Sequence, residues 1–223
     1  MSDKLKQYKD KLNSSQIADG MNAANENAVR LVEDAKLLFE NDRLASALAL
    51  AILSIEESGK VAILRSLAIS SEGKDLKEGW KRYRSHRAKN AHWIAVDLIL
   101  KGANKLSDFS TVTDENADHP HVLDQLKQVA LYTDCLGDAH WSIPEKAIDK
   151  ELARNIIRVA GVFSKKSKHT QEEVDLWIKH IGPSHKSSQS VQNGALLKWF
   201  NEMKEKGLIR EGQIQFEEFV NEF

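Results

Sequence analysis

One cysteine, three prolines and a 7% share of aromatic residues are what this 223-residue chain has least of. With Cys135 alone no intrachain disulfide framework can form, which fits a reducing compartment. Scarce Pro excludes collagen-like and mucin-like chains, and a 41% hydrophobic share excludes a wholly disordered one. No uncharged run approaches the roughly 18 residues that suggest a membrane span. The longest, Leu44 to Ile55, has 12. The opening MSDKLKQYKD has no apolar core of a signal peptide. A soluble, cytoplasmic protein with no membrane partner is therefore expected. Phosphate-loop, dinucleotide-loop and hydrolase-elbow motifs are missing too. No Glu is followed by His three residues later, as a di-metal bundle requires, and no His/Cys set has zinc-like spacing. Neither metal nor cofactor is expected.

Charge is nearly balanced, 32 Lys and Arg against 33 Asp and Glu, but it is unevenly placed. Between Lys77 and His92 six cations face Glu78 alone, giving +5 in 16 residues and leaving −6 for the rest. Such a run is either a solvated helix face or an anion-binding surface. Trp80, Tyr83 and two histidines interleave it, and Trp93 follows directly.

Apolar spacings of three and four predict helices nearly throughout. A first helix starts at Ser14 or Ser15, buries Ile17, Met21, Ala24, Ala28, Leu31, Ala35 and Leu38, and stops near Asn41. A second, Leu44 to about Leu67, has no polar face over its first turns and belongs at the bundle centre. After Gly73 the spacing of Leu76, Trp80, Tyr83, Ala91, Ile94 and Leu98 predicts one long third helix to about Lys101. Residues 105–120 read as a surface loop, and a fourth helix runs from about His121 to Cys135. Pro144 opens a fifth, reaching about Ser164, and Thr170 with Glu173 forms a capping-box start for a sixth. Two terminal helices, 195–206 and 216–223, follow a linker over 184–190. No hairpin signature is present. The expected fold is all-α: a helical bundle over 14–165 with extra C-terminal helices over 170–223.

Three groups of residues could carry chemistry. Glu56, Glu57 and Lys60 end the apolar run of the second helix, where a charge is costly unless partnered. Glu56 and Lys60 are spaced to pair along the helix. They form either an interior polar network or a carboxylate that orients a catalytic cation. On the third helix, Arg82, His86 and Lys89 share one face. Arg87 and His92 lie too far round the helix to meet. Histidine moves protons near neutral pH, and Arg clamps phosphate. RNA cleavage needs little more: a base for the 2′-hydroxyl and cations for the developing charge. Third, Asp134 in Leu131–Asp134 either ends its helix or offers a carboxylate to the basic face. Cys135 reads as a small buried apolar residue.

The order Asp34-Ala35, ALALAILSIEESGK (47–60), YRSHRAK (83–89), LYTD (131–134), Trp141 and Pro144 resembles the AbiV family, from about Asn27 to Ser164. Those are abortive-infection proteins against bacteriophage, in the HEPN superfamily of helical bundles. The resemblance implies an antiphage effector acting as a homodimeric, metal-independent ribonuclease or translation blocker. It implies an Arg and a His four to six residues apart at a shared cleft, a count that Arg87 and His92 meet. The AbiV-like pattern centres instead on Arg84-Ser-His86-x-x-Lys89. His86 is the favoured general base or acid, and His92 stands second. Arg84 and Arg87 would clamp phosphate, Lys89 would add a cation, and Lys81 and Arg82 would contact RNA. A phage protein could serve as trigger or inhibitor. The alternative is a non-catalytic helical module that binds a phage or host protein.

Overall fold

A computed structural model describes residues 6–114, 117–209 and 220. Among these residues the regular elements are helices apart from one short hairpin. Helix α1 (Ser14–Glu40) begins at Asn13, whose side chain accepts the Gln16 amide while the Gln16 side chain accepts the Asn13 amide. Its predicted stripe is buried from Ile17 to Ala35. Helix α2 (Leu44–Ile69) runs through the middle and packs on α1 and on most later helices. Ala47, Leu48, Ala49, Ala51 and Ile52 are fully buried, as an element apolar on all sides must be.

Two apolar cores lie along α2. The first joins Ala45–Ile55 to Val32, Leu123 and Ile156. The second joins Ile63–Ala68 to Ile17, Met21, Trp80 and Val174. Burying each large side chain contributes about 1.5–3 kcal/mol. Residues 56–60 fall in the seam between the cores, and that seam positions the charged groups below.

The single long third helix does not form. The chain runs α3 (Lys74–Arg84), an extended Ser85, α4 (His86–Lys89), a 3-10 turn over Asn90–Ile94, and α5 (Ala95–Leu100). Ser85 (φ −84, ψ 122) stops α3, and its hydroxyl caps the Ala88 amide to start a new turn. A spacing that looks continuous in sequence therefore changes direction at one capping serine. The segment 105–120 is not all loop: a 3-10 turn at Leu106–Phe109 leads to α6 (Ser110–Thr113), which buries Val112. Helix α7 (His119–Leu131) stops earlier than expected. A hairpin then pairs β1 (Asp134–Leu136) with β2 (His140–Ser142), Cys135 opposite Trp141. Gly137 (φ 52) and Ala139 (φ 62) turn it. Cys135 is thus exposed on a strand, not buried in a helix.

The expected fifth helix is two pieces, α8 (Pro144–Ala147) and α9 (Lys150–Phe163), because the Asp149 carboxylate caps the Leu152 amide and starts a fresh helix. Helix α10 (Gln171–Ile181) starts at Thr170, whose hydroxyl accepts the Glu173 amide. Arg65 holds α10 to α2 through Glu173 at 2.5 Å, and its backbone carbonyl accepts the Trp177 indole N–H at 3.1 Å. Helix α11 (Gln189–Glu205) brings Trp199 edge-on to Trp177, and the Arg65 guanidinium lies near both rings. The helix expected over 216–223 lies, apart from Val220, outside the described residues. Among those described, no helix is long and apolar enough to cross a membrane.

Candidate functional site

Glu56 is only 2% exposed, yet it is a carboxylate in the seam of two apolar cores. It survives there because three nitrogens meet it. His86 Nδ1 lies 2.6 Å from Oε2, Lys127 Nζ 2.6 Å from Oε1, and Lys89 Nζ 3.4 Å from Oε2. Lys127 also lies 2.9 Å from Asp124 on its own helix. Burial disfavours the Lys127 ammonium most, but the hydrogen bonds and charges of Glu56 and Asp124 outweigh it and hold its pKa above the ordinary lysine value. With His86 neutral, two carboxylates and two ammoniums cancel. A proton arriving on His86 leaves the cluster at +1, beside Glu56.

Close approach of backbones makes these contacts possible. A Cβ on Gly59 would sit 1.9 Å from the Lys89 carbonyl oxygen, so only glycine lets α4 press on α2 here. The Ser85 break then turns His86 and Lys89 toward Glu56. His86 Nδ1 is also 3.2 Å from Lys127 Nζ, but it cannot serve both neighbours. The shorter contact, to a carboxylate, assigns the proton to Nδ1. Nε2 is left as the acceptor, on a side chain 54% exposed.

Glu56, His86 and Asp124 offer ligand atoms within 4.8 Å of one another, spacing that one metal ion could use. Lys127 Nζ stands within 3.2 Å of an atom of each. An ion there would meet an ammonium head-on, so the cluster's own lysine supplies the positive charge and the donor set fits a metal poorly.

The remaining candidates scatter. Lys60 pairs with Glu57 at 2.6 Å and lies over the Tyr83 ring, not on Glu56, because the buried side of α2 takes Glu56 inward. Arg84 stacks on Trp80 and donates to the backbone carbonyls of Trp80 and Tyr8, pinning the N-terminal segment. Arg82 no longer shares a face with His86, since the helix breaks between them. Lys81, Arg82 and Arg87 line a hollow of about 570 Å³ with His92 at its wall. Arg87 and His92, expected to point apart on an unbroken helix, thus border one space, because the 3-10 turn changes the angular step. His92 is nonetheless recessed: Nδ1 has no hydrogen-bond partner among the described residues. Burial, then the charges of Arg82 and His119, push its pKa below the usual value. Asp134 is exposed on β1 and accepts the Cys135 amide at 2.8 Å, so it joins no basic face. Lys127 and Asp124 escaped the sequence reading. The signal was one lysine inside the buried stripe Leu123, Lys127, Ala130.

The family model HEPN_AbiV, described as AbiV, matches residues 16–165, which contain the whole cluster. The chain belongs to the AbiV family. It is accordingly an abortive-infection protein of the HEPN type. No match is found among curated proteins or solved structures. In this AbiV-family chain the match ends at 165, so α10 and α11 lie beyond it.

Proposed function

We propose that this AbiV-family chain is an antiphage effector that cleaves RNA without a metal ion, His86 being the group that moves the proton. The reading rests on one observation: a half-exposed His86 whose Nδ1 is 2.6 Å from the buried Glu56. That contact fixes the tautomer and ring angle, as a carboxylate does behind a catalytic imidazole. Nε2 takes the proton of a ribose 2′-hydroxyl, and the 2′-oxygen bonds to the adjacent phosphorus. The bond from phosphorus to the 5′-oxygen breaks, and the imidazolium gives its proton to that departing oxygen. The products are a 2′,3′-cyclic phosphate and a 5′-hydroxyl. Glu56 stabilises the transient imidazolium, while Lys89 and Lys127 hold the carboxylate in place. Arg87 is exposed, has no carboxylate partner among the described residues, and directly follows His86, so it serves the phosphate oxygens. The working unit is a homodimer, for which light scattering should give about 50 kDa, twice the 25.1 kDa chain.

The test incubates purified protein with RNA in EDTA and maps new ends. Wild-type protein should yield cyclic-phosphate ends, and His86→Ala should yield none while keeping the helical circular-dichroism signal of the wild type. Full activity in His86→Ala with none in His92→Ala would transfer the role to His92. No cleavage by the wild type would favour a module that binds a phage or host protein.

A further inference from the structure

A second hollow, of about 590 Å³, lies along α3 and is lined by Lys9, Lys74, Lys77, Lys81 and Arg84 against Glu78 alone. Lys81 and Glu78 also line the hollow that holds Arg82, Arg87 and His92. The two hollows therefore straddle α3 and meet at one residue pair. Lys74, Lys77, Lys81 and Arg84 follow spacings of three, four and three, a stripe along one face about 15 Å long.

The charge in these hollows is largely unanswered. Glu78 meets Lys81 at 3.4 Å, and Asp75 is taken by Lys186. Lys9, Lys74, Lys77, Arg82 and Arg87 have no carboxylate within ion-pair distance among the described residues. Lys101, Lys150 and Lys206, by contrast, each meet one. Holding five like charges in adjoining hollows costs Coulomb energy that a polyanion would remove. The floor is not a stacking platform: Trp80 is buried, edge-on to Tyr8 and Tyr83, with its N–H on the Asp10 carbonyl.

We infer that α3 is a saddle for single-stranded RNA, which crosses it from the Lys9–Lys77 hollow to Arg87 beside His86 and is gripped by its phosphates alone. The inference rests on the ribonuclease reading and extends it to where the strand runs beyond the cut. Because Trp80, the one Phe, Tyr or Trp among the described residues that line the two hollows, is buried, the grip is indifferent to sequence.

The test measures binding of a labelled mixed-sequence RNA across a salt series. It compares His86→Ala with the same chain carrying Lys9→Gln, Lys74→Gln and Lys77→Gln. For single strands each phosphate contact contributes about 0.7 to the slope of log affinity against log salt. The triple change should make the slope shallower by about 2 and weaken binding roughly a hundredfold near 100 mM salt. The loss should be equal for purine-rich and pyrimidine-rich strands, with melting unchanged. An unchanged slope, a loss confined to one sequence, or binding of poly-glutamate in place of RNA overturns the saddle. Cleavage is read separately on the chain that keeps His86: normal cutting with an unchanged salt slope sinks the saddle and spares the ribonuclease. A salt-sensitive grip lost in the triple variant, with no cutting by wild type, does the reverse.

Discussion

Replacing Lys127 by methionine tests whether the seam of α2 is an interior ionic cluster. Methionine fills the space of the lysine stem but removes the ammonium 2.6 Å from Glu56 and 2.9 Å from Asp124. Breaking a buried pair by removing one partner typically costs about 3–5 kcal/mol. Glu56 keeps His86 and Lys89, which pulls the figure toward the lower end. Asp124 Oδ1, buried and without a well-directed hydrogen bond, loses its cation, which pushes it back up. We expect a loss of about 3 kcal/mol, seen as a fall of roughly 6–12 °C in melting temperature for a chain of this size. Lys60→Met, which breaks a partly exposed pair within one helix, should cost under about 1 kcal/mol. Urea denaturation of both variants, with a Glu56→Gln/Lys127→Met double mutant, provides the comparison. The double mutant should lose less than the sum of its parts, because each single change strands the other charge. A loss below about 0.5 kcal/mol for Lys127→Met, or strict additivity, would refute the cluster.

Gly59→Ala reverses the usual sign of a helical glycine replacement: instead of gaining up to about 1 kcal/mol it should lose about 1–3 kcal/mol, because the new methyl meets the Lys89 carbonyl. Denaturation checks this, and wild-type stability would show that α4 does not press on α2. His92 has its pKa lowered mainly by burial, so below its unfolded value of about 6.5 the unfolded chain binds more protons there. Stability is therefore whole above that value and falls on acidification. Between pH 7.5 and 5.5 the fall should be smaller in His92→Gln, and equal falls would place the ring in water. Cys135 lies exposed on β1, so a thiol reagent should modify the folded protein completely within minutes; slow reaction would contradict the hairpin.

The regular parts of the fold were legible where one periodic signal ran uninterrupted. Helices α1, α2 and α10 carry long apolar stripes or side-chain caps; both ends of α1 and α2 and the start of α10 fall within two residues of expectation. The segment after Gly73 was not, because the spacing of its apolar residues survives a break that a single serine makes. The hairpin was missed because three-residue strands are too short to alternate visibly, and its turn uses Ala139 at positive φ, where no sequence signal points. In the candidate site, the buried charge at Glu56 could be seen in the sequence, but its partners could not. Pairing within α2 looked cheapest to Lys60. The fold instead brings Lys127 from 71 residues away, and tertiary contact overrides local spacing.

The extended peptide at Ser85 separates two tasks that an unbroken helix would have tied together. His86 takes its bearings from α2, through Glu56 and the gap left by Gly59, whereas α3 is anchored by Trp80 and Arg84. Substitutions among the exposed lysines of α3 therefore change the charge of that segment without altering the angle of the imidazole. The surface charge on one side of Ser85 and the bearing of the side chain on the other are thus set by separate contacts, and either can change while the other stays where it was.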